Sequence, residues 1–275
     1  MNKEMIIKPL GTVSTYSYED KCCPGFLIEY GNNKVMLDCG NGISKYLDLP
    51  NDFNNLSIII SHLHSDHYGE LLSLAQTSLV FNRLGYLNEK IKVYIPKGDT
   101  QKGYQYYTDD EGWPRHITVD NNLIDFDYLM SLEKNSYMEF IPYKDNKVIT
   151  YDDLNISFSN NPHQLVTHSV KIESDVASLV YSSDTGFKGN TIENFAKNVN
   201  LLICESTFLK GQLKMEDYHL YASEAGIIAR NANVDKLLLT HFWPNIDKEL
   251  YVNEAKEYFK NTEAAVEGKK LILRR

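Results

Sequence analysis

Cysteine is scarce in this 275-residue chain, with Cys22, Cys23, Cys39 and Cys204 at irregular spacings. That excludes a disulfide scaffold, and the lack of any Cys-x-x-Cys pair excludes a structural zinc knuckle. The four read as reduced thiols, mostly buried. No apolar run reaches the roughly 18 residues of a membrane span, and the opening segment MNKEMIIKPLG lacks the apolar stretch and cleavage site of a secretory signal. The expectation is a cytoplasmic protein without a membrane partner. Positive charge is short as well. With 28 Lys and Arg against 37 Asp and Glu, the formal net charge of -9 leaves no broad cationic face for a polynucleotide backbone. Long nucleic acid is therefore disfavoured as a partner.

What is present is a globular composition, 43% hydrophobic and 24% charged, which excludes disordered, collagenous and coiled-coil chains. The length suits a single domain over 1–275 with a sizeable core. Strand-like runs open the chain at Met5 to Leu10, Gly25 to Tyr30 and Lys34 to Asp38, the last two joined by a Gly-Asn-Asn hairpin signal. A short helical stretch at Ile43 to Leu47 and an apolar strand at Leu56 to Ser61 follow. The apolar spacing predicts a helix over Glu70 to Leu84, then a strand at Ile91 to Pro96. From about 97 to 147 the pattern weakens into a Tyr- and Asp-rich segment with a helix near Leu123 to Leu132, which reads as an insertion forming a lid or dimer element.

The second half returns to strands at Val148 to Thr150, Leu154 to Ser159, Ser169 to Glu173, Ala177 to Ser182, Leu201 to Cys204 and Lys236 to Thr240. Ser223 reads as the cap of a helix to about Asn231. A last helix, Glu249 to Phe259, precedes a strand at Lys270 to Leu273. Two halves, each with strands followed by helices, suggest stacked sheets flanked by helices.

Chemistry concentrates in Ser61-His62-Leu63-His64-Ser65-Asp66-His67-Tyr68-Gly69, three imidazoles and a carboxylate directly after an apolar strand. A turn there lets His62 and His64 point one way while Asp66 and His67 swing the other, so one loop can serve two adjacent cations. Asp184 after a buried strand and His241 ending Leu-Leu-Leu-Thr-His are further polar residues at strand ends. His163 and His168 both lie between the histidine cluster and Asp184, and spacing alone leaves the choice between them open.

The segment HLHSDH resembles the H-x-H-x-D-H motif of the metallo-β-lactamase superfamily, and its flanks resemble the ribonuclease Z-like branch. Matching blocks follow in order: LGT at Leu10 to Thr12, LDCGNG, SSDTG at Ser182 to Gly186, and LLLTHF at Leu237 to Phe242. The resemblance implies an α/β, four-layer αβ/βα sandwich with two divalent metal ions, zinc or manganese, at the sheet edges. It implies that His62 and His64 hold one metal, Asp66 and His67 the other, with Asp184 bridging and His241 completing the second. The family places the remaining histidine at a strand end before a Lys-Ile pair, here Lys171-Ile172, which selects His163. His168 then falls at a substrate-pocket position. Cys204-Glu205-Ser206-Thr207 is similar to the branch's His-Glu-Ala-Thr motif with Cys for His, and His219 precedes a helix as the branch's catalytic histidine does. The implied catalytic set is Asp66, Glu205 and His219.

β-Lactam, thioester and lactone hydrolases share the cation pair, so the choice of a phosphodiester rests on the SDTG and Glu205–His219 features. Ribonuclease Z enzymes grip precursor tRNA with an arm inserted between the strand-end histidine and the bridging aspartate. Only twenty residues separate His163 from Asp184, too few for that arm. The chain resembles instead the compact anti-Pycsar-type phosphodiesterases that hydrolyse 3′,5′-cyclic mononucleotides such as cCMP, cUMP, cAMP and cGMP. That resemblance implies a small anionic nucleotide substrate and a homodimer, with Tyr104, Tyr106, Tyr107, Trp113 and His116 of the aromatic insertion as substrate contacts. The alternatives are a tRNA 3′-processing endonuclease and a non-catalytic metal-binding scaffold.

Overall fold

Alternating sequences build the strands near the sheet margins, and continuous apolar runs build those in the middle. Leu154, Ile156 and Phe158 are buried while Asn155 between them is exposed, whereas every residue of LSII at 56–59 and LLICE at 201–205 is buried. The second pattern belongs to strands covered on both faces. The computed structural model describes residues 4–97, 102–109, 112, 114–120, 124–145, 147–151, 153–214 and 217–274, with the backbone alone over 102–108, 114–120 and 124–125.

The first half contains β1 (Met5–Gly11), β2 (Gly25–Tyr30), β3 (Asn33–Leu37), β4 (Leu56–Ile59), β5 (Ile91–Pro96), β6 (Lys102–Thr108), β7 (Pro114–Asp120) and β8 (Met138–Tyr143). The second contains β9 (Val148–Tyr151), β10 (Leu154–Asn160), β11 (His168–Glu173), β12 (Ser178–Tyr181), β13 (Leu201–Glu205), β14 (Lys236–Thr240), β15 (Thr262–Ala264) and β16 (Leu271–Leu273). The helices are α1 (Ser65–Tyr68), α2 (Leu71–Arg83), α3 (Ile124–Ser131), α4 (Thr191–Phe195), α5 (Ala222–Ala232) and α6 (Lys248–Lys256). One sheet has the order β16-β1-β2-β3-β4-β5-β8 and the other β15-β14-β13-β12-β11-β10-β9, with β6 and β7 forming a separate hairpin.

Three apolar clusters hold these elements together. Met5, Phe26 and Ile59 of one sheet meet Ile156, Leu179 and Ile203 of the other. Leu27, Met36 and Ile58 pack on Leu71, Leu74 and Leu129 of α2 and α3. Leu202 and Leu237 pack on Ala225, Ala229, Tyr251 and Val252 of α5 and α6. The result is the expected αβ/βα sandwich of four layers. Among the described residues no helix is long and apolar enough to cross a membrane. The four cysteines are free and buried.

Three expectations need correction. The stretch from 97 to 147 is not one insertion, because β8 pairs in parallel with β5 and α3 buries Phe126 and Leu129 in the helix-side core. The departure from the sandwich narrows to the segment around the β6–β7 hairpin. Strand β8 escapes sequence reading because it is an edge strand carrying an exposed Glu139 and Pro142, residues an unpaired margin tolerates. Helix α5 is capped at Tyr221 rather than Ser223, since the Glu224 carboxylate reaches back to accept from the Tyr221 N–H at 2.9 Å. Helix α6 starts at Lys248, where the Asp247 side chain accepts from the Glu249 N–H, and ends by Lys256, short of Phe259.

Strands β3, β4, β5 and β8 run parallel, as do β12 to β15, so their carboxyl ends gather at common edges. Open α/β sheets bind ligands there. Gly40, just beyond β3, keeps this edge tight: a Cβ at that position would stand 2.2 Å from the Asp66 carbonyl oxygen and 2.7 Å from the Cys23 side chain. Gly40→Ala is expected to destabilise the protein by about 1–3 kcal/mol in denaturant unfolding. An unchanged midpoint would show that the loop yields freely.

Candidate metal centre

Strand β4 delivers the histidine cluster. His64, the residue before α1, is extended at φ -79° and ψ 141°, and the His62 and His64 rings share a side, with Nε2 and Nδ1 3.0 Å apart. Helix α1 then turns Asp66 and His67 away by about 100° per residue. Strand β12 leads to Asp184, β14 leads into His241, and the loop after β10 carries His163, all at the same edge.

The polar atoms converge in two main groups, and a third set, Asp184, His219 and His241, overlaps the second. In the first, His62 Nε2 lies 3.0 Å from His64 Nδ1, and His163 Nε2 lies 3.3 Å from that same atom. Asp184 Oδ2 closes the group at 3.5 Å from His62 Nε2 and 3.9 Å from His163 Nε2. In the second, Asp184 Oδ1 lies 3.4 Å from His67 Nε2 and 3.2 Å from His241 Nε2. Asp66 Oδ2 lies 3.7 Å from both of those nitrogens. Tetrahedral donors about 2.0–2.1 Å from zinc are separated by about 3.3 Å, so both groups have the dimensions of a metal cage.

Three observations test the fit. Asp184 Oδ1, His67 Nε2 and His241 Nε2 are buried without a hydrogen-bond partner, and all three belong to the second group. Buried polar atoms left unpaired are costly, and a shared cation satisfies all three together. Burial lowers His62 well below the ordinary histidine range, lowers His163, and pushes His64 down to about 4, so these rings are neutral with lone pairs available. Burial alone would raise Asp184 and Asp66, yet the facing histidines outweigh it and hold both carboxyls below their usual range. An ionised carboxylate with one oxygen in each group, facing the neutral His62, His64 and His163 rings on one side and His67 and His241 on the other, is a donor set suited to divalent metal.

Asp38, which the sequence shows only as part of the LDCGNG block, organises this edge. Its Oδ1 accepts from the Ser61 N–H at 2.7 Å, and its Oδ2 accepts from Ser61 Oγ at 2.8 Å, Tyr181 OH at 2.7 Å and His67 Nδ1 at 2.7 Å. The last bond fixes the tautomer that leaves His67 Nε2 facing the second group. Burial would lower His67, but Asp184, Asp38 and Asp66 together hold it well above the usual range. The Tyr218 carbonyl accepts from His163 Nδ1 at 3.0 Å and does for that ring what Asp38 does for His67. A charge ending the apolar run Val-Met-Leu-Asp is the sequence signal for Asp38. Nothing in the sequence marks the Tyr218 carbonyl.

Glu205 ends β13 fully buried and accepts from His219 Nδ1 at 2.9 Å. Burial would lower His219, but Glu205 and then Asp184 push it up to about 9. His219 lies 3.9 Å from Asp184 and is partly exposed. His168 is placed elsewhere: it opens β11, packs beside Tyr143 and Phe158, and bonds Asp145 through Nε2. It joins none of the metal-holding groups among the described residues. Tyr104, Tyr106, Tyr107 and His116 sit on the β6–β7 hairpin, with Tyr106 opposite His116. Their side chains, and Trp113 entirely, lie outside the described residues.

Three strand ends here adopt left-handed backbone at non-glycine residues: Asp38 at φ 59°, Ser183 at 52° and His241 at 64°. Each turns the chain sharply where a strand meets the site.

The family model for the anti-Pycsar protein Apyc1 matches residues 5–260. The chain belongs to that family. A ribonuclease Z from Archaeoglobus fulgidus is 28% identical over 299 residues, covering 92% of each chain. The crystal structure of the metallo-β-lactamase fold protein YhfI from Bacillus subtilis superposes with a TM-score of 0.82 at 21% identity, covering 98% of this chain and 99% of that one. Human tRNase Z, short form, gives 0.70 at 16% identity over 97% and 98%. The fold of this anti-Pycsar family member is thus the metallo-β-lactamase sandwich. Asp38→Asn is expected to weaken divalent-metal affinity by about 10–100-fold in chelator competition, because it removes the charge that orients His67. Unaltered affinity would deny Asp38 that part.

Proposed function

We propose that this metal-dependent phosphodiesterase hydrolyses small 3′,5′-cyclic mononucleotides, among them cCMP, cUMP, cAMP and cGMP, at a dinuclear centre. The observation that carries the reading is the division of Asp184 between two cages beside the Glu205–His219 pair. His62, His64, His163 and Asp184 would hold one ion; Asp66, His67, His241 and the same Asp184 would hold the other. Histidine-rich cages favour zinc, and the carboxylates also suit manganese. When bound, the paired cations lower the pKa of a water and neutralise phosphate oxygens.

Asp66 accepts and steers the proton of the attacking water. His219, protonated and held through Nδ1 by Glu205, keeps a proton on Nε2 for the departing 3′-oxygen as the P–O bond breaks. Membership in the anti-Pycsar family supports a cyclic nucleotide as substrate. So does the backbone between His163 and Asp184: a short loop, β11, a tight turn bonded from Ser174 N to Ala177 O, and β12, with no protruding arm. The β6–β7 segment with its aromatic residues is the element we assign to covering the nucleotide, in a homodimer whose sedimentation would give twice the chain mass; a monomer at working concentration would overturn that part.

The Glu205–His219 pair and the ribonuclease Z relative favour a second reading, tRNA 3′-processing. A screen of the four cyclic mononucleotides and a precursor tRNA, with zinc or manganese added, separates the two. Cyclic nucleotide turnover without tRNA cleavage is expected; the reverse overturns the substrate. Inertness toward bis(p-nitrophenyl) phosphate as well would leave a non-catalytic metal-binding scaffold.

Asp184→Ala should abolish turnover and strip bound metal in elemental analysis. His219→Ala should keep two ions and slow kcat by about 10²–10⁴-fold; equal metal loss in both would remove His219 from proton transfer. An acid of this kind works below its pKa and fails above it. Wild-type kcat should therefore fall on the alkaline side at or below about 9, the cations pulling the value downward, and His219→Ala should lack that limb.

A further inference from the structure

Thr207 lies two residues beyond β13 and is buried. Its hydroxyl sits between two groups with different demands. Glu205 Oε2 is 2.7 Å away and His241 Nδ1 is 2.8 Å away on the other side. A hydroxyl has one proton to give and lone pairs with which to accept. The Glu205 carboxylate only accepts, and burial, which would raise it, is outweighed by His219, so it stays below its usual range. The hydroxyl proton therefore goes to Glu205, and the oxygen is left to accept from His241 Nδ1–H. That assignment puts the His241 proton on Nδ1 and leaves Nε2 as a bare lone pair. Nε2 is the atom found buried without a partner, 3.2 Å from Asp184 Oδ1.

The same carboxylate serves a second ring. Glu205 Oε1 takes the bond from His219 Nδ1 at 2.9 Å, while Thr207 is 3.4 Å from that nitrogen, the poorer contact. The His219 and His241 rings lie nearly parallel, 18° apart, with centroids separated by 5.5 Å. We infer that Thr207 is a positioning residue that relays Glu205 to His241, fixing the tautomer in which His241 Nε2 faces the second cage. One buried carboxylate then orients both rings, one directly and one through a hydroxyl. The inference rests on His241 being a metal ligand.

The test uses the full chain and zinc, with Thr207→Val removing only the hydroxyl and Thr207→Ser retaining it. Chelator competition should show the more weakly held zinc bound about 10–100-fold less tightly in Thr207→Val and near wild type in Thr207→Ser. Wild-type affinity in Thr207→Val, or equal loss in both variants, overturns the relay. Histidine ¹⁵N NMR of the zinc-loaded wild type gives a check that needs no relay variant to fold: His241 should carry its proton on Nδ1, and a proton on Nε2 overturns the proposal. His241→Ala separates the two levels of the argument. If it leaves zinc binding unchanged, the ligand assignment fails; if it loses zinc while Thr207→Val does not, only the relay fails.

Discussion

Asp184 sits fully buried where the two sheets end, with one oxygen toward each cluster of histidines. A carboxylate withdrawn from water is tolerated only when fixed charges or donors replace the solvent. Here imidazoles approach it from both sides, and they in turn are held by Asp38, Glu205 and the Tyr218 carbonyl. Around Asp184, three atoms of the second cage are left without partners among the described residues. Metal binding therefore completes an electrostatic design that the polypeptide leaves open, and ion affinity is coupled to the stability of the edge itself.

The sandwich exists to keep that edge in register. Three separate apolar clusters, one between the sheets and one under each helical layer, fix the ends of β3, β4, β12, β13 and β14 relative to one another. Because those strands enter from two sheets, no single local segment could assemble the cages. His62 and His163 are about a hundred residues apart in sequence, yet both approach the same His64 nitrogen. Long-range sheet packing is what makes a short histidine loop into a metal-binding arrangement.

Much of this is legible in the order of the residues. The continuous apolar runs at 56–61, 201–204 and 236–240 announce covered strands, and the histidine spacing after the first announces a divided ligand set. The resemblance to a known branch supplies Asp184, His163, His241 and the Glu205–His219 pair, residues whose spacing alone says little. Less legible are features defined by what approaches them in space. Edge strand β8 hides behind Glu139 and Pro142, β15 is three residues long, and the start of α5 is set by Glu224 reaching backward. Asp38 and Thr207 each reach a histidine tens of residues away along the chain, and no periodicity records such contacts. His168 has the right residue type and region but is spent on Asp145 and the packing of Tyr143 and Phe158.

The left-handed backbone at Asp38, Ser183 and His241 limits how this protein can change over generations. Glycine would relieve each conformation, so simple selection for thermal hardiness is drawn toward replacements that delete the side chains the edge needs. Branched residues are unwelcome at all three places for the opposite reason. Variation that leaves the chemistry intact is thereby directed away from the strand termini and toward the outer helices, where it leaves the ligand framework undisturbed.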